Sequence, residues 1–127
     1  MILKRILEII TLSVLLLILQ SCLNSDGIKV EVYNRSNKTL TNVVVSTSDY
    51  KSNDFLIGEL KQGEKRKGFL DMSETTGDGA YSILFERKNE ELEGYGFGYY
   101  TNGAPLDRKV IFYIEEDTVY AEFKGYY

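Results

Sequence analysis

The side chains that could do chemistry in this chain are of few kinds. The sequence has 127 residues, one cysteine and no histidine, beside 19 Asp and Glu and 10 Tyr. Without histidine the chain lacks the usual general base and the usual partner of a Ser or Cys nucleophile. Zinc prefers His and Cys ligands, and no D-x-D-x-D-G calcium loop appears. Carboxylate pairs could serve a glycosidase, but they lie mostly at predicted turns. We therefore expect no catalysis, no cofactor and no metal.

The one cysteine, Cys22, directly follows an apolar segment. Lys4 and Arg5 precede a mainly apolar run over residues 9–19, and Ser21 stands immediately before the cysteine. A basic start, an apolar run of about 7–15 residues and a small residue before a cut are typical of a secretory signal. We predict cleavage between Ser21 and Cys22. The domain prediction is a signal peptide over 1–21, a tether over 22–27 and a β-sandwich over 28–127.

The stretch Leu19-Gln20-Ser21-Cys22 resembles the lipobox of bacterial lipoproteins, in which a leucine precedes a variable residue, a small residue and the cysteine. The resemblance implies that Cys22 is acylated, and two or more acyl chains hold a protein on a membrane stably. It also implies a place in the bacterial cell envelope, on the outer membrane, facing the periplasm or the cell surface. Two alternatives are a short uncleaved anchor and a buried core helix. A span, however, needs roughly 20 apolar residues.

The charge of the chain limits its partners. The net charge is −4, and removal of residues 1–21 takes away Lys4, Arg5 and Glu8, which makes it −5. The remaining residues suit one domain with a core of its own. An acidic balance argues against a nucleic-acid partner and against electrostatic attachment to anionic lipid. With Cys22 acylated no disulfide forms, so packing alone must stabilise the domain.

After Cys22 the sequence has the pattern of an all-β protein. Apolar residues alternate with polar ones, turn residues recur every 8–12 positions, and no helical period is seen. The predicted strands cover residues 28–33, 40–47, 55–60, 64–72, 80–87, 94–100, 109–115 and 118–124. Asn42 is predicted to mark a bulge and Gly63 a turn with positive φ. The fold prediction is an antiparallel, immunoglobulin-like β-sandwich of seven or eight strands after a helical signal peptide.

The immunoglobulin-like part of that prediction rests on a resemblance over residues 28–64. Three short motifs follow one another in order: Val30-x-Val32-x-Asn34, then Leu40-x-Asn42-Val43-x-Val45, then Ile57-Gly58-x-Leu60-x-x-Gly63-Glu64. This succession resembles bacterial immunoglobulin-like modules of the adhesion-related and adaptin-ear-like kind. Such modules are mostly scaffolds or binding units, so the resemblance implies binding without catalysis.

The candidate binding surface is a strand of glycine and aromatic residues. Alternation places Tyr95, Phe97 and Tyr99 on one face and only glycines on the other. Tyrosine offers a large rigid contact with a polar tip, and glycine in a strand often marks the close approach of another surface. We predict a contact surface that includes Tyr95, Tyr99, Tyr100 and Asn102. The alternative is that the aromatic side chains fill the core while a neighbouring loop or strand covers the glycines.

Two smaller features complete the sequence. Tyr113 and Tyr120 have the outward phase of the last hairpin and are expected to pair across it. Asp117-Thr118-Val119 resembles the Asp-Ser/Thr-aliphatic acceptor for O-glycosylation of Bacteroidetes-type bacteria, which implies modification at Thr118. The function prediction is a membrane-anchored, non-catalytic module that binds a protein or a glycan. An immunity or inhibitor lipoprotein against a toxin or lytic enzyme, and an accessory subunit of an envelope complex, are the alternatives.

Overall fold

The computed structural model describes residues 1–23 and 26–125, without the side chains of residues 18–23. These residues form one helix and nine strands. The helix is α1 (Ile2–Leu23), and the strands are β1 (Gly27–Asn34), β2 (Leu40–Thr47), β3 (Phe55–Leu60), β4 (Lys65–Asp71), β5 (Gly79–Arg87), β6 (Leu92–Thr101), β7 (Ala104–Pro105), β8 (Lys109–Ile114) and β9 (Val119–Lys124).

Helix α1 packs against nothing in the described part of the chain. Every described side chain of the helix, up to residue 17, is exposed. The helix ends at Leu23, beyond the predicted cleavage point. Leu23 belongs to the helix and Gly27 to β1, and the tether over 22–27 stays a prediction. Among the described residues no helix combines the length and the sustained hydropathy that a membrane span requires.

The strands form two sheets around one core. The first sheet has the order β4-β1-β8-β9 and the second the order β3-β2-β5-β6-β7. This confirms the prediction of a two-sheet β-sandwich. The predicted antiparallel arrangement is wrong at one pair, because β1 and β8 run parallel. Strand β8 enters the first sheet from the end where β1 begins, and only strands joined by a hairpin must alternate in direction.

The ninth strand corrects the predicted count of seven or eight. Strand β7 lies within the predicted loop, where Ala104 and Pro105 pair with Thr101 and Tyr100. Asn102 and Gly103 join the two strands with φ of 51° and 71°. Positive φ at both central residues is the requirement of a type I′ hairpin turn, for which Asn-Gly is the preferred pair. The sequence therefore contained the signal for this hairpin.

Alternation predicted most of the core. Several strand residues that alternation places inward have at most 1 % of their surface exposed: Ile28, Val30, Val32, Val43, Val45, Tyr81, Ile83, Phe85, Val110, Phe112 and Ile114. The core cluster consists of Ile28, Val30, Val32, Leu40, Val43, Val45, Leu60, Leu70, Met72, Tyr81, Ile83, Phe85, Tyr100, Val110, Phe112, Ile114 and Val119. The bulge at Asn42 is confirmed by its φ of 51° and by the shift of register beside it. Gly63 has the expected positive φ.

Asn34 fixes the end of β1 with a fully buried polar side chain. Its Nδ2 donates to the carbonyl oxygens of Lys38 at 2.8 Å and Leu60 at 2.9 Å. Its Oδ1 accepts from the backbone N–H of Ser36 at 3.0 Å and from the Ser36 hydroxyl at 2.7 Å. A buried amide is tolerated when its hydrogen bonds are made. Asn34 therefore joins the first turn to the end of β3 in the opposite sheet.

The sandwich has two ends, which we call basal and distal. At the basal end, where β1 begins, Gly27 pairs with Asp71 and Asn53 donates to the Asp71 carbonyl. The loops over 48–54, 72–78 and 102–108 lie there. At the distal end Asn34 donates to the Glu64 carbonyl and Lys88 to the Thr39 carbonyl. The turns over 35–39, 61–64, 88–91 and 115–118 lie at that end, farthest from α1 along β1.

Candidate functional site

A bulge divides the glycine and aromatic strand β6 into two parts. Tyr95 and Phe97 are partly buried against the core. Gly98 has a φ of 69°, and the register with β5 shifts at this point. The extra residue reverses the alternation, so that Tyr99 is 51 % exposed while Tyr100 is completely buried. The prediction that Tyr99 shares a face with Tyr95 and Phe97 is therefore wrong.

Tyr100 is not part of an exposed surface. Its ring packs 5.6 Å from the Tyr81 ring, centroid to centroid. Tyr95 is half-buried, with its ring 6.1 Å from that of Phe85. Its hydroxyl donates to Glu93 Oε1 at 3.0 Å, and this hydrogen bond raises the pKa of Tyr95. Of the four predicted contact residues, the structure thus places Tyr100 in the core and Tyr95 at its margin.

Tyr99 and Asn102 are both exposed at the basal end, where they meet at Asp78. The Tyr99 hydroxyl donates to Asp78 Oδ2 at 3.1 Å, and the Asn102 backbone N–H donates to Oδ1 at 3.0 Å. The hydrogen bond to Asp78 raises the pKa of Tyr99. One carboxylate therefore holds the two residues together, and each of its oxygens accepts one hydrogen bond from the protein itself.

The glycines of β6 differ in what covers them. A Cβ atom on Gly96 would meet nothing closer than the Tyr81 carbonyl oxygen, at 3.8 Å. At Gly94 the nearest atom belongs to Leu84 of the adjacent strand, at 2.8 Å. Gly96 thus has no covering side chain among the described residues, whereas the Leu84 side chain of the neighbouring strand lies over Gly94, as the alternative above expected. A Cβ on Gly98, by contrast, would lie 2.3 Å from the Phe123 ring.

A polar cavity opens between the turns at the distal end, and we call it the distal cleft. Its volume is about 400 Å³, which lies within the usual range of small-ligand sites. Three separate turns contribute to it. The lining residues are Asn37, Lys38, Arg87, Glu90, Glu93, Glu116 and Asp117. Two cations and four carboxylates give the cleft a net charge of −2.

Arg87 is the buried member of the cleft. It ends β5 on the inward phase, is 5 % exposed, and lies over the Phe85 ring at 5.4 Å from its centroid. Its Nε donates to Glu93 Oε2 at 2.8 Å. Among the described residues, its Nη2 is buried without a hydrogen-bond partner. Leaving a charged donor unpaired is costly, so Arg87 is a cleft residue whose hydrogen bonding is incomplete among the described residues.

Reasoning from the sequence missed this cleft, although its parts were visible. The sequence has charged residues between the strands predicted over 80–87 and 94–100, and acidic ones between those over 109–115 and 118–124. Nothing in the sequence indicated that they converge with Asn37. Thr118, the predicted O-glycosylation acceptor, is exposed beside the cleft residue Asp117. Modification of Thr118 stays a prediction.

The predicted acylation site lies outside the described side chains. Backbone residues Ser21 and Cys22 belong to α1, but their side chains are not among those that the structure describes. Cleavage between them and acylation of Cys22 therefore stay predictions.

The comparisons with known proteins agree with the fold. No protein-family model matches the chain, and the comparison with curated proteins gives no match. A solved structure described as an NMR structure of the protein from Eubacterium rectale is similar, with a TM-score of 0.55 at 12 % sequence identity. The similarity covers 80 % of this chain and 91 % of the other. At this identity the likeness concerns the fold alone.

Proposed function

We propose that this chain is a lipid-anchored, non-catalytic binding module of the bacterial cell envelope. Three observations support the anchor: the basic start, the apolar run and the single cysteine in a lipobox context. The exposed side chains of α1 add to this support. A helix that buries no side chain against the sandwich is consistent with a signal segment that is not part of the folded domain. The sandwich is assigned to the immunoglobulin-like modules on the strength of the motif order over residues 28–64.

The distal cleft is the binding site in this proposal. The observation that carries it is Arg87, which lines a cavity of about 400 Å³ and whose buried Nη2 has no hydrogen-bond partner among the described residues. Arg87 offers a donor, Glu116 and Asp117 offer exposed acceptors, and the Asn37 amide offers both. The adjacent hydroxyl groups of a sugar match this mixture of donors and acceptors, since each hydroxyl group can both donate and accept a hydrogen bond. The ligand is therefore assigned to the glycans.

The position of the cleft fits this function. The cleft lies at the distal end of the sandwich. Gly27, through which the domain joins the segment that carries Cys22, lies at the basal end. A domain tethered through its basal end presents its distal turns away from the membrane. A glycan in the surrounding space would reach the cleft without passing the lipid surface.

The test is binding of the full chain, in detergent micelles, to an array of neutral and acidic oligosaccharides. We expect retention of at least one structure, and a loss of affinity of about tenfold for Asp117→Asn and for Glu116→Gln, since each removes a charged acceptor. Both variants should keep the thermal midpoint of the parent chain. Asp107→Asn and Glu74→Gln, at the basal end, are the matched controls. Retention of no oligosaccharide, or equal losses in the controls, would overturn the assignment.

A further inference from the structure

The outer face of the four-stranded sheet has a charge opposite to that of the whole chain. Its outward positions hold five lysines and three carboxylates, a net charge of +2, whereas the chain carries −4. The lysines are Lys29, Lys65, Lys67, Lys109 and Lys124, and the carboxylates are Glu31, Asp71 and Glu122. The acidity of the chain is therefore not spread evenly over its surface.

Three of these lysines stand side by side near the basal end. Lys29 pairs with Lys109, and Lys109 pairs with Lys124, across the parallel and the antiparallel ladder. On the other side Lys29 pairs with Phe69, which is 48 % exposed. Like charges directly opposite one another destabilise a sheet. We use the name basal lysine row for Lys29, Lys109 and Lys124 together with the adjacent Phe69.

The carboxylates of the face only partly neutralise the row. Glu31 is shared by three ammonium groups, with Lys109 at 3.0 Å, Lys67 at 3.4 Å and Lys65 at 3.9 Å. Lys124 has Glu122 at 3.4 Å. A shallow cavity of about 430 Å³ is lined by Phe69, by Lys29, Lys67 and Lys109, and by the acidic residue Glu31, together with Val30 and Gly68. The row thus combines an excess of positive charge, an accessible hollow and an exposed aromatic ring.

The row also lies close to the proposed anchor. Lys29 is two positions into β1, and only residues 24–26 separate that strand from α1. A fully extended chain spans at most about 3.6 Å per residue, so an anchor at Cys22 holds Lys29 within about 25 Å of the membrane. The charge of an anionic surface acts over a Debye length of about 8–10 Å. Diffusion on this short tether brings the row repeatedly within that distance.

We propose that the basal lysine row docks the sandwich onto the phosphate headgroups of anionic lipids. This inference rests on the proposed function, because the anchor supplies the proximity. The lysine stems lie along the sheet while their ammonium groups reach the phosphates, and the Phe69 ring enters the interfacial layer. The docked sandwich turns the basal part of this sheet face toward the bilayer.

The test uses the full acylated chain in phosphatidylcholine vesicles with and without phosphatidylglycerol. Amine-reactive labelling, read by mass spectrometry, reports the exposure of each lysine. We expect labelling of Lys29, Lys109 and Lys124 to fall about threefold with the anionic lipid and to recover at high salt. Lys61 and Lys88, at the distal end, are the matched controls and should not change. Equal labelling of the row in both vesicles would overturn the proposal.

Two further arms separate the possible sources of protection. Inorganic phosphate added to phosphatidylcholine vesicles should not protect the row, and protection there would overturn docking in favour of a site for free phosphate. The double variant Lys29→Gln and Lys124→Gln should abolish the effect of anionic lipid on Lys109. The mass of the N-terminal peptide tests the anchor independently. An unmodified Cys22 in the protein purified from membranes would overturn the proposed function, whatever the labelling shows.

Discussion

The two outer faces of the sandwich have the same position in the fold and opposite surfaces. The face of the four-stranded sheet carries the charged groups described above, together with the rings of Tyr33, Tyr113 and Tyr120. The face of the five-stranded sheet has an uncharged row across four strands, in which Leu56, Val44, Leu84 and Gly94 are neighbours. Long side chains cover the first sheet, whereas glycines leave part of the second bare.

Burial on the charged face shows what long side chains do to a sheet. Glu31 has the outward phase of β1, yet it is 6 % exposed, because lysine stems from both neighbouring strands surround it. The guanidinium carbon of Arg35 lies 4.1 Å from the centroid of the Tyr113 ring, which stacks at 4.8 Å on that of Tyr120. The expected pairing of these tyrosines is confirmed. A side chain at an outward position of a strand is therefore not always exposed to solvent.

The largest expected effect concerns β6, the strand of the five-stranded sheet in which exposed Tyr99 is followed by buried Tyr100. Tyr100→Ala should reduce the free energy of unfolding by about 3–5 kcal/mol, because it empties a fully buried site. Tyr99→Ala, one residue away and exposed, should cost about 1 kcal/mol, through its hydrogen bond to Asp78. Urea unfolding followed by circular dichroism measures both. Equal losses would mean that the bulge at Gly98 does not separate the two tyrosines.

A smaller loss of unfolding free energy is expected when the buried carboxylate of Glu31, on the four-stranded sheet, is replaced. The hydrogen bond from Lys109 lowers the pKa of Glu31 more than burial raises it, and Lys67 and Lys65 lower it further. Glu31→Gln should therefore cost about 1–3 kcal/mol near pH 7. Glu122→Gln, exposed on the same face, is the matched control and should cost less than about 1 kcal/mol.

The difference between the parent chain and Glu31→Gln should also depend on pH. A carboxyl group whose pKa is lowered by folding stabilises the protein above its unfolded pKa of about 4.3. This contribution is lost as the pH falls through the lower pKa of the folded state. The free energies of unfolding of the two chains, measured from neutral to acid pH, should become equal only at the acid end. A difference that did not change with pH would contradict the ion-pair explanation.

The smallest change in stability is expected on the outer face of the five-stranded sheet. Gly96→Thr should stabilise the domain by about 0.5–1 kcal/mol, because a β-branched residue suits an open strand position better than glycine. Among the described residues, only the Tyr81 carbonyl oxygen would approach the new Cβ, at 3.8 Å. Gly98→Ala is the contrasting variant and should destabilise, since its φ is positive and its Cβ would meet Phe123. Thermal unfolding compares the two. Destabilisation by Gly96→Thr would indicate that another surface approaches this glycine.

The local features of this fold could be predicted from the sequence because they depend on neighbouring residues. The period of two identified the inward side chains, such as Val30, Val43 and Phe112. Asn42 and Gly63 indicated a bulge and a turn because few residues tolerate positive φ. The Asn102-Gly103 pair held equally local information about a hairpin. The bulge at Gly98 was missed, because glycine at alternate positions gives no sign of which one carries the extra residue.

The lateral arrangement of the strands was decided only by the tertiary structure. Alternation states whether a side chain points inward, but sheet order and register decide which residues stand beside it. The parallel pairing of β1 with β8 brings Lys109 next to both Glu31 and Lys29, which are 78 or more positions away in the chain. The distal cleft arises in the same way, from three turns that converge at Arg87. Net charge and composition are sums over the sequence, whereas a site depends on distances that only long-range packing defines.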